Sequence, residues 1–392
     1  MNELETDGAD GAVGRVIGRL AADEPGPTLI CIGGVHGNEP AGYRGLRRVM
    51  DSMGESPHLE RGDFLALAGN IRAMAEGVRY IDRDLNRHWR SHQFLPGHEP
   101  TGKETEDIEQ SELIAEIKAA IDRARGDVFL LDLHTTSGQS RPFLVIADSL
   151  NSRSFAKAFP NPIILGLEEH LDGTLIDCTT NLGFAGVAFE AGQNEGIDSV
   201  ANVEAAVWIA LQFAGIIGAS HTKEVDFARA QLKHSAADLP RLAEVRYRHE
   251  VMDSEKFVIE PGLHGFKLVD AGQVIAQGKN GAVTTPEAGY LLMPRYQAQG
   301  NDGFFVVRRV LPFWLSVSAA LRWLQVYRLV HLLPGIARDP DNELGVVVHT
   351  NVAKWLALEL LHLLGFKRVR ASGSLLWMSR RESLLNPKNR AA

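Results

Sequence analysis

Cysteine is nearly missing from this sequence: Cys31 and Cys178 are the two in 392 residues. Two thiols cannot build a disulfide scaffold, and so low a number suits a reducing cytosol. An excess of basic charge is missing as well. Lys and Arg total 41 against 49 Asp and Glu, a formal net charge of -8. That balance argues against nucleic acid as a partner, because its phosphates demand clustered cations. Met1 to Ala12 carries Glu3, Glu5, Asp7 and Asp10 without a basic-then-apolar signal pattern, so the reading is cytoplasmic. Leu311 to Leu333 is too interrupted to span a bilayer, since Arg322, Arg328 and His331 would lie in hydrocarbon. What is present is ordinary for a globular protein. Apolar residues make up 45% and charged residues 23%, which excludes wholesale disorder.

The length predicts two or three domains. From Gly14 to about Gly218, short apolar runs alternate with amphipathic stretches. Pro27 to Val35 reads as a buried strand ending in glycines, Asp63 to Ala68 as a second and Asp127 to Leu133 as a third. Pro142 to Ala147 and Gly186 to Phe189 read as two more. Helices are predicted over Ala41 to Met53, Glu104 to Arg125 and Asp198 to Ile217. Strand and helix repeated in this way predict an α/β domain over 1–222 with a mostly parallel sheet flanked by helices. Over 223–310 the texture changes to short alternating runs punctuated by glycine, the pattern of a smaller β-rich domain. Residues 311–392 read as a helical C-terminal extension, with helices over Trp314 to Leu333 and Asn351 to Leu364 and a strand over Phe366 to Ser379.

The chemistry-bearing residues gather at strand ends. His36-Gly-Asn-Glu39 follows the first strand and His134 the third, and parallel sheets carry function beyond the carboxyl ends of their strands. Two imidazoles and a carboxylate suit a catalytic zinc, one per chain, with a position left open. Either histidine alone would read as a hydrogen-bonded loop residue; together they read as a metal centre. Arg79-Tyr-Ile-Asp-Arg-Asp84-Leu-Asn86-Arg87 concentrates guanidinium groups and an amide, and reads as an anion clamp set against a surface salt-bridge network. Glu190, ending the fifth strand, is placed to act as a general base. His88, His92 and His98 lie in a segment read as a loop near the pocket mouth.

As a set, Gly-Gly-Val-His36-Gly-Asn-Glu39, Asp84-Leu-Asn86-Arg87, Asp132-Leu-His134 and Phe189-Glu190-Ala-Gly resemble the succinylglutamate desuccinylase/aspartoacylase family, a branch of the zinc carboxypeptidase-like hydrolases. The resemblance runs from about Gly14 to Val310. It implies that His36, Glu39 and His134 hold zinc and that Glu190 is the catalytic acid and base. It further implies that Arg79 polarises the scissile carbonyl while Asn86 and Arg87 grip a substrate carboxylate. The family's β-rich domain over the active site matches 223–310, and the resemblance implies Tyr290, with Tyr296 close by as the alternative, as the counterpart of its pocket tyrosine. The implied activity is hydrolysis of a small N-acylated amino acid or related amide.

One departure concerns charge. Aspartoacylases carry an arginine shortly before the catalytic glutamate, but here no Lys or Arg lies between Lys157 and Lys223. That puts a dicarboxylate substrate in doubt, and Arg141 is a candidate substitute from another direction. Two other readings stand beside the deacylase: a carboxypeptidase, and a non-catalytic zinc-containing binding module. The tail from Lys367 to Ala392 holds seven Lys or Arg and one acidic residue. An extra layer with a solvated basic end is favoured for it over a membrane-surface or partner-docking role. The oligomeric state is left open.

Overall fold

The computed structural model describes residues 13–54, 58–98, 102–340, 342–352 and 360–380. The chain enters on an edge strand, Val16–Ala21 (β1), and then threads the middle of a sheet with Thr28–Gly33 (β2). Every residue of β2 is buried. Its Leu29 and Cys31 join one apolar cluster and its Ile30 and Ile32 another, so the period-two alternation of a strand serves two cores at once. Ala41–Gly54 (α1) covers the first of these faces. Asp63–Ala68 (β3), Ile71–Glu76 (α2) and Thr105–Arg123 (α3) follow, the last packing Leu113 and Ile117 onto the second face.

Val128–Thr136 (β4), Phe143–Val145 (β5), Leu150–Lys157 (α4) and Ile163–Leu165 (β6) come next. Leu175–Asn181 (α5), Ala185–Gln193 (β7), Ser199–Ala214 (α6) and Thr222–Ser235 (α7) complete the region. The expected strands and helices over 27–217 are all present. The short elements β1, α2, α4, β6 and α5 add to them. The pairs β2/β3, β2/β4 and β4/β7 are parallel, whereas β5 runs antiparallel to β7.

The glycine-punctuated segment supplies Leu242–Glu250 (β8), Val258–Ile259 (β9), Leu268–Val269 (β10), Val274–Gly278 (β11), Gly281–Thr284 (β12), Gly289–Leu292 (β13) and Asp302–Arg309 (β14). Strand β8 pairs in parallel with β6, so the sheet continues through it in the order β1-β3-β2-β4-β7-β5-β6-β8-β14-β13-β10. Strands β12, β11 and β9 form a small antiparallel sheet of their own.

The C-terminal region is less helical than expected, although the strand expected over 366–379 is present as a hairpin. Phe313–Trp323 (α8) opens it, but Ile336–Asp339 (β15), Asn342–His349 (β16), Phe366–Ser372 (β17) and Leu375–Arg380 (β18) build an antiparallel sheet, order β15-β16-β18-β17. Alternation explains it. Val346 and Val348 face a cluster with Leu361, Leu364, Leu376 and Met378, a pattern that serves a half-buried strand. Of the helix expected over 351–364, residues 353–359 lie outside the described residues and 360–363 are helical; the end of the basic tail lies outside them too. Within β17, Lys367 Nζ donates to both carboxylate oxygens of Asp177 at 2.8 and 2.9 Å. Among the described residues no helix is long and apolar enough to cross a membrane.

Candidate metal centre and active site

Three parallel strands aim their carboxyl ends at one edge. After β2 the chain turns at Gly34, whose φ of 81° is the left-handed conformation that glycine adopts without strain. His36, Gly37, Asn38 and Glu39 follow. A Cβ on Gly37 would lie 2.2 Å from the carbonyl carbon of Ala73, so the absence of a side chain lets this turn press onto α2. The neighbouring strand β4 presents His134, and the β4/β7 register sets Glu190 beside it.

His36, Glu39 and His134 are all buried, and one ligand atom from each lies within 4.8 Å of the others. Each imidazole turns Nδ1 toward Glu39: His36 Nδ1 is 2.9 Å from Oε1 and His134 Nδ1 is 3.0 Å from Oε2. Each backs its Nε2 onto an aspartate, His36 onto Asp84 at 3.1 Å and His134 onto Asp132 at 2.9 Å. Burial by itself would raise the Glu39 pKa, but the two imidazoles overrule it and hold the carboxyl below the usual range. Burial opposes the charged form of His134 too, yet Asp132 and Glu39 raise its pKa well above the ordinary value. Among the described residues this is the group of three whose donor atoms are close enough to share an ion.

Glu190 is buried, and its Oε2 has no hydrogen-bond partner among the described residues. Burial is the main cause of its carboxyl pKa rising to about 8, against the pull of His134. Arg79 donates to Asp84 Oδ2 from Nε at 3.2 Å and Nη2 at 3.1 Å, and from Nη1 to Glu39 Oε1 at 3.3 Å. Its guanidinium therefore stands at the rim of the His36–Glu39–His134 group.

Asn86 is buried; its Oδ1 accepts from the Leu175 backbone at 2.8 Å, and its Nδ2 lies 3.4 Å from His134 Nε2. Arg87 donates from Nη2 to Asp302 Oδ2 at 2.6 Å and from Nη1 to the Asn86 carbonyl at 2.8 Å. Tyr290 lies elsewhere. It sits on β13, paired with Leu268 and Val307, and packs against an apolar cluster rather than lining the cavity. Arg141 is also turned away, donating to the backbone carbonyls of Ser235 and Ala237. The His92 and His98 rings meet edge-on at 5.4 Å outside the cavity wall.

The cavity encloses about 110 Å³. His36, Glu39, His134, Glu190, Arg79, Asn86 and Arg87 line its polar side. Val145, Leu167, Leu171, Ile176, Met293 and Phe305 form an apolar wall. Its roof is the loop between β13 and β14, pinned to the segments that carry His36, Arg79 and His134. Asn38 Nδ2 donates to Gln297 Oε1 at 2.9 Å, the Arg79 backbone N–H donates to Gln299 Oε1 at 2.9 Å, and the Tyr296 backbone N–H donates to Ser137 Oγ at 3.0 Å. The roof loop and the start of β14 bring several residues to the cavity that the sequence did not single out, among them two charged ones, Arg295 and Asp302. No local motif marks them; the sheet alone brings them some two hundred residues back to Arg87.

Residues 25–207 match the family model described as the succinylglutamate desuccinylase/aspartoacylase catalytic domain. This segment belongs to the succinylglutamate desuccinylase/aspartoacylase family. The family segment contains His36, Glu39, Arg79, Asn86, Arg87, His134 and Glu190. An N-acyl-aromatic-L-amino acid amidohydrolase (carboxylate-forming) from Xenopus tropicalis is 27% identical over 280 residues, 64% of this chain and 84% of that protein. A succinylglutamate desuccinylase from Pseudomonas paraeruginosa is 28% identical over 122 residues, 31% of this chain and 35% of its own length. Two crystal structures show the same fold. The succinylglutamate desuccinylase/aspartoacylase from Rhodobacter sphaeroides has a TM-score of 0.54 at 19% identity, covering 74% of this chain and 87% of its own. Murine aminoacylase 3 has a TM-score of 0.51 at 21% identity, covering 74% and 97%.

Proposed function

We propose that this chain is a zinc-dependent amidohydrolase that cleaves small N-acylated amino acids carrying an apolar group, releasing a carboxylic acid and a free amino acid. The observation that carries this reading is one cavity with His36, Glu39, His134, Glu190 and Arg79 on one side and an apolar wall on the other. The family of residues 25–207 and the amidohydrolase similar over most of its length support the same class of reaction.

The donor set fits zinc. Two imidazoles and a carboxylate are borderline ligands of the kind that ion takes. Their orientation fits as well, because a metal-ligating imidazole commonly commits its other nitrogen to a carboxylate, as Asp84 and Asp132 offer here. Bound between them, zinc would supply Lewis acidity, making a water acidic near neutral pH and favouring negative charge on an oxygen.

The chain's own groups do the rest. Glu190 takes a proton from the attacking water as the C–O bond forms at the amide carbon. Arg79 offers its guanidinium to the oxyanion that develops. Glu190 then passes the proton to the leaving nitrogen as the C–N bond breaks, which balances the reaction. Asn86 and Arg87 face the substrate's carboxylate, and the apolar wall excludes water from its remaining part. We assign 1–222 to catalysis and 223–310 to the roof and far wall of the pocket.

The test is to quantify bound metal in purified protein and then screen N-acyl amino acids and short peptides for free amine. Zinc near one equivalent with turnover of N-acetyl-L-phenylalanine is the expected result. Turnover confined to peptides would replace the reading with a carboxypeptidase. Zinc-loaded protein inert on every substrate would replace it with a binding module.

A further inference from the structure

We propose that Arg295, in the roof loop, is a specificity-determining residue that pairs with the substrate's carboxylate alongside Arg87. The assignment rests on the N-acyl amino acid reading above and names the group in this chain that recognises the acid.

Three arginines line the cavity, and they differ in what already occupies them. Arg79 is tied to Asp84 and Glu39. Arg87 spends Nη2 on Asp302 and Nη1 on the Asn86 carbonyl. Asp302 is itself shared, accepting from Arg248 Nε at 2.7 Å through its other oxygen. Arg295 has no carboxylate within ion-pair distance among the described residues. Its Nη1 donates to the Gly300 carbonyl at 2.5 Å, and its guanidinium lies 5.3 Å from the centre of the Phe257 ring. Its Nε is buried and, like that of Arg87, has no hydrogen-bond partner among the described residues; what sets Arg295 apart is the missing ion pair. A partly desolvated cation with a donor to spare is costly alone and cheap beside an anion.

Its position is built rather than incidental. The Arg295 backbone N–H donates to the Gly303 carbonyl at 2.9 Å, and its neighbours are hydrogen-bonded to Asn38, Arg79 and Ser137. The loop cannot shift without breaking bonds to the segments that carry His36 and His134. Among the described residues no other cation comes from the expected directions. The stretch 158–222 contains no Lys or Arg, and Arg141 is engaged with carbonyls outside the cavity. Arg295 thus supplies from the roof the positive charge that the sequence lacks ahead of Glu190.

Binding, rather than turnover, is the decisive readout. In a Glu190→Gln background that does not consume ligand, calorimetry compares N-acetyl-L-phenylalanine with N-acetyl-L-phenylalaninamide, which differ only in the carboxylate. Adding Arg295→Met keeps a stem over Phe257 and removes the cation. The acid should then bind on the order of tenfold or more weakly, the loss of a hydrogen bond to a charged group, and the amide within about twofold of its original affinity. Arg295→Lys, which keeps charge but not the planar fork, should fall between. Equal loss for both ligands would make Arg295 merely structural and overturn the proposal. So would no loss for the acid, or binding of neither ligand by the parent protein. If the acid binds through Arg295 while the wild-type protein releases no free amino acid, the amidohydrolase reading fails and this assignment stands.

Discussion

Arg87 and Asp302, 215 positions apart in sequence, are joined by an ion pair of 2.6 Å in the lining of the cavity. The pair ties the family segment to strand β14 and sets a carboxylate of the protein against a residue implied to hold a carboxylate of the substrate. Arg248 grips the other oxygen of Asp302, so the aspartate is anchored from both sides.

Asp302→Asn should therefore act in two directions. Releasing Arg87 should lower KM for N-acyl amino acids while leaving their carboxamides unaffected. Weakening two partly buried charge-assisted bonds should cost about 1–3 kcal/mol of stability. Steady-state kinetics and urea unfolding of the same variant check both, and an unchanged KM would mean that Asp302 does not restrain Arg87.

Asp132 backs His134 at 2.9 Å. Asp132→Asn should weaken metal binding by roughly 10–100-fold, the usual effect of losing such a partner, while His134→Ala should abolish stoichiometric metal. Competition with a chromophoric chelator measures both. Equal affinities in Asp132→Asn and wild type would separate Asp132 from the metal centre.

Glu190→Gln should retain metal and lose turnover by about 10²–10⁴-fold, the range for removing a general acid and base. Its shape is nearly unchanged, so thermal unfolding should report a folded protein. Near-normal activity would remove Glu190 from the reaction.

The same residue should give the metal-free protein a pH signature. Its carboxyl moves from an ordinary value of 4.5 to about 8 on folding, chiefly through burial. Below about 4.5 both states are protonated and the group costs nothing. Between 4.5 and 8 the unfolded chain ionises while the folded one resists, so stability falls with rising pH and levels off above 8. In chelator, the Tm of Glu190→Gln minus that of wild type should grow from pH 5 to pH 9. A constant difference would contradict a buried, reluctantly ionised Glu190.

Much of the α/β region was legible because its signals are local. A buried parallel strand reads as a run of branched apolar residues, and β2, β3 and β4 each do so over the span in which they pair. Histidine and glutamate just past such runs identify a sheet edge as the site before any coordinates are known. The C-terminal sheet was legible in part: a strand was expected where β17 and β18 lie, but a half-buried apolar segment of the β16 kind differs from a helix by alternation over a few residues only. Tyr290 and Arg141 show the opposite limit. Both are chemically suitable, and both point elsewhere because β-strand alternation and nearby backbone carbonyls decide their directions.

By itself, then, the sequence determined which chemistry-bearing groups meet: two histidines, two glutamates and an arginine-rich loop set at the ends of strands that must be buried. Tertiary structure alone decided how the pocket is closed and what charge it presents. The roof loop reaches the site through pairing of β8, β14 and β13 onto the sheet, and those long-range hydrogen bonds leave no trace in local composition. They bring Asp302 to Arg87 and set Arg295, without a carboxylate in ion-pair distance among the described residues, at the same cavity.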